Sequence, residues 1–543
     1  MEGHRTTVEQ AEEFIHGPGF SEALGRLART EPDRVYLRDR ERSLTAAELN
    51  LRVDDAAARL RELGVGPTSR VGLALPVGID HVVLIFALLR LRALWLPLNT
   101  QLKGEPLLHQ LRDSGATDVV AESAGPFLEQ LARSRPAQEP RAAADLRLHG
   151  TGGGVTDDAA GDAAGGRLSL VSLAAPAADQ GDRGDAALLI YTSGTTGPPK
   201  GVLVSETMLR AAVLGALEVT EPEKGDVFYV WEPLFHIGGA QVVFIPLYRE
   251  VALALAPKFS ASRFWRDVVD FSVTHIHYLG GVLQILLQLP ATDAERANRV
   301  RVAWGAGATP EVRAACAQRY GFALHECYGM TETSSIVTFN RHESDGGIGR
   351  PLPWVEIAVE PDPERDSGGP GEDADDDGAR PGEILVRGRV AGLLTAGYLG
   401  NPEASVKARR GDWFRTGDHG RFDADGRLHF LGRGSDSIRV RGENVSAWQV
   451  ENVFALHPDV DRCAVVGVDA AVGEQEMLLV VTAAEGRRVD PAGLLQWGGE
   501  RLARFQLPRY IKLVEEMPLT PSQRIAKHRL PADLEGAFHA PGR

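Results

Sequence analysis

The stretch from Ser69 to Asn99 constrains the fold most. It reads "SRVGLALP", then "GIDHVVLIFALLRLRA", then "LWLPLN". A short apolar run, a longer run of helical length and a second short apolar run predict strand, helix, strand. Two strands joined by a helix pair in parallel, which places the chain in the α/β class. The segment "HVVLIFALLRLRALWLPL" is the most apolar in the chain, but Arg90 and Arg92 interrupt it. It is too short and too charged to cross a bilayer and is expected to be a buried helix.

The pattern extends in both directions. Before it, "LTAAELNLRVDDAAARLREL" (Leu44–Leu63) carries apolar residues at helical spacing and ends at Gly64. After it, "DVVAE" and "THIHYLG" are expected strands, the second preceded by the helical "ASRFWRDVVDFSV". At ~100–200 residues per domain, 543 residues predict two to four domains. From about Gly434 the texture changes to "SIRVRG", the helical "SAWQVENVFALH", "CAVVGV" and "MLLVVTAA". This reads as a small α+β domain, with a boundary expected between residues 433 and 434. Residues 137–167, rich in Ala, Gly and Asp, and the acidic 360–383 are expected surface loops.

A net charge of -15 argues against nucleic-acid binding, which needs an excess of Lys and Arg. Cys316, Cys327 and Cys463 form neither a CxxC pair nor a zinc spacing. Together with a polar, acidic start that does not read as a signal peptide, they suggest a reduced, cytoplasmic setting.

The strand "AALLIYT" runs into "SGTTGPPKG". Glycines let backbone N–H groups approach a phosphate, and hydroxyls and Lys200 donate to it. The string is not a Walker A loop, because "GVLVS" continues as a strand where that motif opens a helix. On glycine content alone an ordinary hairpin turn is an equal reading.

The ordered set of strings decides between them. "YTSGTTGPPKG" is followed by "PLFHIGG", "GAGATP", "YGMTET", "WFRTGDHG" and "GRGSDSIRVRGENVS". Together they resemble the adenylate-forming (ANL) superfamily of acyl-CoA synthetases, amino-acid adenylation domains and luciferases, over nearly the whole chain. "RVRGENVSAWQVE" and "TPSQRIAKHRL" look most like its carnitine/crotonobetaine-CoA ligase branch. Such enzymes join a carboxylate to ATP, forming an acyl-adenylate, then pass the acyl group to a thiol.

The resemblance implies a large N-terminal α/β domain of parallel-sheet subdomains and a small mobile C-terminal α+β domain. It also assigns roles. Thr192, Ser193, Gly194, Thr195, Thr196, Gly197 and Lys200 would surround the phosphates of ATP or of the adenylate. Gly305, Ala306, Gly307, Tyr328, Gly329 and Met330 would wall the adenine slot. Thr331 would touch the α-phosphate and Glu332 would hold Mg²⁺. Asp418 would accept from the ribose hydroxyls, with Arg433 beside it. His236 would gate the acyl pocket and the thiol tunnel. Ile237, Gly238, Gly280, Trp304, Cys327, Gly329, Ser335 and Ile336 would line the acyl pocket. Arg439, Arg441, Gly442 and Glu443 would meet coenzyme A after the small domain rotates about Ser435 or Asp436. His275, His277 and His325 are read as ordinary core or surface histidines.

Acetate-specific relatives plug the acyl pocket with Trp at the position of Gly329, so glycine implies a larger acid. Trp304 and Tyr278 do not by themselves make an aromatic cage for a quaternary ammonium. A bulky, mostly hydrophobic acid is expected. The Ala/Arg/Gly-rich composition suits secondary metabolism in a high-GC bacterium, where platensimycin-type diterpenoid acids are activated by enzymes of this kind.

One departure stands out. The superfamily's last motif ends in Gly-Lys, and that lysine bridges carboxylate and α-phosphate during adenylation. Here the pair is Gln523-Arg524. Charge is kept, but a planar fork replaces a compact point charge. Losing one preorganised donor costs ~2.7–4 kcal/mol, or ~10²–10³ in rate. Adenylation is therefore expected to be slow or absent while thioester formation survives, with a separate ligase supplying the acyl-adenylate. A complete synthetase, with Arg524 sufficient or Lys527 substituting, remains open. So do an enzyme loading a carrier protein and a binding protein that merely retains nucleotide.

Overall fold

The computed structural model describes residues 6–123, 127, 140–147, 167–173, 182–192, 199–308, 310–341, 347–361, 381–433, 437–440, 443–469, 475–518, 525, 527, 530–531 and 533–541. The strand, helix, strand reading holds. Arg70–Ala74 and Leu94–Pro97 pair in parallel, Val71 opposite Trp95, and Ile79–Leu91 connects them. That helix is buried from Val82 to Leu89, so its all-round apolarity reflects packing on every side. Its one basic residue near the end is tethered: Arg90 donates to Ser21 Oγ and Asn50 Oδ1, each at 3.0 Å, and pairs with Asp54. Among the described residues no helix is long and apolar enough to cross a membrane.

The helix expected from Leu44 runs Ala46–Glu62. Thr45 caps it, taking the Glu48 N–H while the Glu48 side chain accepts the Thr45 N–H. Leu49, Val53, Ala56, Ala57 and Leu60 form its buried stripe. Gly64, at φ +92°, follows the end.

Three sheets build the larger part. A seven-stranded sheet holds the elements above, with Asp118–Ala121 parallel to Arg70–Ala74 and the hairpin Ala186–Thr192/Lys200–Ser205 at one edge. At its other edge Pro140–Arg147 pairs with Arg167–Leu173. This corrects the expected loop at residues 140–147, while 137–139 and 148–166 lie outside the described ones. Alanine-rich composition gives little strand signal, and the ladder comes from Arg167–Leu173, itself paired with Asp118–Ala121. A nine-stranded sheet carries Val227–Val230, His275–Leu279, Val302–Ala306 and Ala323–Tyr328 as parallel neighbours. A five-stranded antiparallel sheet contains Val355–Pro361, Gly382–Gly388 and Trp413–Phe422. The ends of the acidic segment belong to it, Glu360 opposite Glu383, while residues 362–380 lie outside the described ones.

From Ser437 onward the chain has sheets of its own. Ser437–Val440 pairs with Glu443–Ser446, and Val460–Asp469, Gln475–Ala483, Tyr510–Leu513 and Phe538–His539 form a second sheet. The helices Ala447–Phe454 and Pro491–Gly499 cover it. Ile438, Val450, Phe454, Leu479 and Leu494 belong to one core cluster there, separate from those of the N-terminal sheets. The architecture is thus a large N-terminal α/β domain and a small C-terminal α+β domain.

Candidate active site

Parallel strands end together, and their carboxyl ends make the natural ligand crevice of such a sheet. Here Leu279, Ala306 and Tyr328 close three adjacent strands of the nine-stranded sheet. A cavity of about 1170 Å³ opens at that edge.

At its end beside the glycine-rich string, Thr192 and Lys200 face each other across the hairpin. The hairpin confirms that no helix opens after the glycine-rich turn. Ser193, Gly194, Thr195, Thr196 and Gly197 lie outside the described residues. The Lys200 ammonium sits 4.8 Å from the centre of the Tyr398 ring, and the Tyr398 hydroxyl donates to Glu332 Oε1 at 3.0 Å. Cation, ring and carboxylate thus form one chain along the wall, and all three line the cavity. Sequence reading missed Tyr398, although "AGYLGNP" marks a turn. Glu332 and Thr331 lie in the single turn Thr331–Thr333, each 7% exposed. Ser334 and Ser335 leave that turn at φ +61° and +72°, unusual for residues with a Cβ. Ser334 Oγ anchors the bend on the Leu393 carbonyl at 2.6 Å.

A carboxylate on the cavity wall, such as that of Glu332, suits Mg²⁺. That ion keeps several waters and takes one or two carboxylates together with substrate phosphates. No cluster of three or more metal-binding side chains exists among the described residues.

Gly305 and Ala306 line the cavity. A Cβ on Gly305 would lie 1.9 Å from the Tyr278 carbonyl oxygen, so only glycine lets the two strands approach this closely. Gly307 follows at φ +86°. Beneath them lies a group the sequence did not announce. Glu326 accepts the N–H of Gly307 at 2.6 Å, that of Ala308 at 3.2 Å and the Tyr278 hydroxyl at 2.6 Å. Burial raises its carboxyl to about 7, against the lowering effect of those donors and of Arg313. Tyr278, spent on Glu326 and fully buried, contributes to no aromatic cage.

The Tyr328 hydroxyl donates to Asp418 Oδ2 at 2.9 Å. Tyr328 lines the cavity, and Asp418 is 3% exposed and opposite Arg433 in register. The side chains of Arg433 and Glu443 lie outside the described residues, as do Ser435, Asp436, Arg441, Gly442 and Arg524. Met330 lines the cavity, and so does Arg439 of the small domain.

Of the residues expected at an acyl pocket, His236, Ile237, Gly238, Cys327, Gly329, Ser335 and Ile336 all line the cavity. The surroundings of Gly280 lie outside the described residues, and its neighbour Leu279 reaches the wall. Two expectations change. Trp304 is fully buried and packs edge-on against His277, ring centres 4.3 Å apart. It is His277 that reaches the cavity, so the tryptophan supports the wall without forming it. Gly329 was expected to be glycine because the acyl group needs space. Its φ is +157°, and a Cβ there would lie 1.8 Å from the Ser335 carbonyl oxygen. Backbone contact alone demands glycine, and the size of the acid must be judged from the cavity.

Of the histidines expected to be structural, His275 and His325 are. His275 is fully buried, its Nδ1 2.9 Å from Thr274 Oγ1, and burial takes it to about 4. His325 Nδ1 lies 2.7 Å from the Val219 carbonyl. His277 reaches the cavity wall and pairs there with Glu232, a cavity residue that sequence reading passed over. Lys527 pairs with Glu451 at 2.8 Å inside the small domain.

Comparison with known proteins gives this geometry a context. A family model described as AMP-binding enzyme matches residues 24–399, and one described as AMP-binding enzyme C-terminal domain matches 449–524. The chain is 31% identical over 505 residues to the 2-succinylbenzoate–CoA ligase of Geobacillus kaustophilus, covering 92% of this chain and 95% of the relative. It is 31% identical over 512 residues to a feruloyl-CoA synthase of an Amycolatopsis species, covering 92% and 96%. In fold it is similar to a double mutant of o-succinylbenzoate CoA synthetase from Bacillus subtilis bound to a product analogue. The TM-score is 0.75 at 23% identity, covering 96% of this chain and 99% of that one. The same Bacillus enzyme with its acyl-adenylate intermediate scores 0.60 at 24% identity, covering 94% and 98%. Two family models spanning both parts of the chain and relatives that are CoA ligases along nearly their whole length agree. The chain belongs to the AMP-binding enzymes of the adenylate-forming superfamily, among the acyl-CoA ligases.

Proposed function

We propose that the protein forms the CoA thioester of a bulky, mostly hydrophobic carboxylic acid through an acyl-adenylate, with the adenylation half-reaction impaired. The observation that carries this reading is the pair Gln523-Arg524 where the superfamily has Gly-Lys, together with Lys527 engaged by Glu451. Lys527 is the nearest lysine to the altered position, and its ion pair keeps it from taking over the bridging role. A guanidinium spreads its charge over a plane and cannot reproduce the single contact between carboxylate and α-phosphate.

The swivel is proposed at Ser435 or Asp436, between an N-terminal domain of residues 1–433 and a C-terminal domain of 434–543. Thr192, Lys200, Thr331 and the backbone of the glycine-rich turn would hold the phosphates. Glu332, steadied by Tyr398, would hold Mg²⁺, which neutralises phosphate charge when the nucleotide is bound. Asp418 would hold the ribose with Tyr328 against the base, and Glu326 keeps the adenine loop in place. In the thioester step the thiol sulfur of coenzyme A bonds to the acyl carbon. The bond from that carbon to the phosphate oxygen breaks, AMP leaves, and the thiol proton passes to water. None of this needs Arg524 at the site, whereas Arg439 already lines the cavity. A separate ligase would supply the adenylate, and a reduced cytoplasm is the proposed setting.

The test is a panel of acids and their acyl-adenylates, with coenzyme A or a phosphopantetheinylated carrier protein as acceptor, read by mass spectrometry. CoA thioester from acyl-adenylate, with little from acid plus ATP, is expected. Thioester on the carrier alone would refute the acceptor, and no product from any adenylate would refute the activity.

A further inference from the structure

The acyl end of the cavity contains a polar pair that the bulky, hydrophobic acid proposed above does not explain. Glu232 follows the strand Val227–Val230 and is 4% exposed. Its carboxylate pairs with Nδ1 of His277 on the adjacent strand, and both residues line the cavity beside Ile237 and Gly238. Gly238 makes the arrangement possible. A Cβ there would lie 2.9 Å from the His277 ring and 3.1 and 3.2 Å from the two Glu232 oxygens. Any side chain at 238 would push the pair out of place. Trp304 backs His277 from the protein side.

A buried carboxylate is costly unless its lone pairs are used. Burial pushes Glu232 up, but His277, His236 and Arg439 outweigh it and hold the carboxyl below its ordinary value. The group is therefore a carboxylate. It offers about four lone-pair sites and His277 meets one edge of it. A wholly hydrocarbon acyl group would dry this carboxylate without giving it a donor. An ammonium group would supply one, but it would enter beside three groups that already favour the negative charge. A hydroxyl is neutral and donates to the carboxylate.

We propose that Glu232 and His277 are a specificity-determining pair that recognises a hydroxyl group on the acyl portion of the substrate. The proposal rests on the acyl-adenylate reading above and narrows its substrate class to an acid that is mostly apolar but hydroxylated.

The test uses the full chain and stable sulfamoyl-adenosine analogues of acyl-adenylates, whose nucleotide half gives binding independent of the acyl group. Analogues of phenylpropanoate, of naphthylpropanoate, and of each with one ring hydroxyl or one ring amine are titrated by calorimetry. At least one hydroxylated analogue is expected to bind roughly 10- to 100-fold tighter than its parent, the value of one hydrogen bond to a charged group. Glu232→Leu should abolish that advantage while the parent binds as well or better. Glu232→Gln, of the same shape, should lose most of it and stands in should the leucine variant fail to fold. No preference for any hydroxylated analogue, or a preference unchanged in both variants, overturns the proposal. A preference for the amines overturns the choice of a neutral group. If no analogue binds at all, the acyl-adenylate reading itself falls.

Discussion

Glu326→Gln separates charge from shape beneath the Gly307–Ala308 turn. In the folded protein burial raises Glu326 to about 7 from an ordinary 4.5. The native state therefore holds the proton more tightly than the unfolded chain. Its contribution to stability is fully present below the ordinary value and is lost as pH rises through the folded one. That interval corresponds to about 3 kcal/mol, lost between about pH 4.5 and about pH 7. Glutamine keeps one acceptor for Gly307 and Ala308 and cannot titrate. Its cost from replacing an oxygen with an amide is the same at every pH. Comparing wild type with the variant at about pH 5 and about pH 8 cancels that cost and leaves the titration. Urea unfolding should show the variant gaining about 2–3 kcal/mol on the wild type between the two conditions. Difference infrared spectroscopy supplies a direct reading: a protonated carboxyl band, absent in the variant, should titrate near neutrality. A stability difference that is flat between the two pH values, or a band already lost at the lower one, would refute the reasoning.

Three other substitutions probe separate parts of the site. Gly329→Ala places a Cβ against the Ser335 carbonyl and should cost several kcal/mol, at least the ~3 typical of strained backbone changes, seen as a lower melting temperature and lost nucleotide binding. Tyr398→Phe removes the hydroxyl donating to Glu332 and should weaken Mg²⁺-nucleotide binding by about tenfold in titration calorimetry, leaving binding of the metal-free adenylate analogue within about twofold. Lys527→Met breaks the ion pair with Glu451, which also accepts the Val465 N–H, and should cost about 1–2 kcal/mol of small-domain stability without altering the rate of adenylation. A drop in pyrophosphate exchange in that variant would show that Lys527 supplies the bridging cation.

Much of the fold was legible because helix and strand periods differ. The Ser69–Asn99 stretch is mostly apolar and its strands are largely buried, so length and punctuation sufficed to read it. The arm at Pro140–Arg147 was not legible, because its ladder depends on a distant partner and alanine has little strand preference. In the site, motif strings placed sixteen candidates on the cavity wall: Thr192, Lys200, His236, Ile237, Gly238, Gly305, Ala306, Cys327, Tyr328, Gly329, Met330, Thr331, Glu332, Ser335, Ile336 and Arg439. Trp304 was misjudged because neighbouring strand residues point to opposite faces, and sequence does not say which face meets the cavity. Glu232 and His277 are 45 residues apart and become a pair only when their strands lie side by side. A single histidine gives no hint of such a partner.

The central claim concerns two half-reactions, so the most direct measurement reads them separately in one preparation. The unmodified protein is given acid, ATP and labelled pyrophosphate, and in parallel preformed acyl-adenylate and coenzyme A, beside the Arg524→Lys variant. Rapid thioester formation with little exchange is predicted, and the variant should raise exchange by roughly 10²-fold while thioester formation stays near its original rate. Rapid pyrophosphate exchange by the unmodified protein would contradict the account.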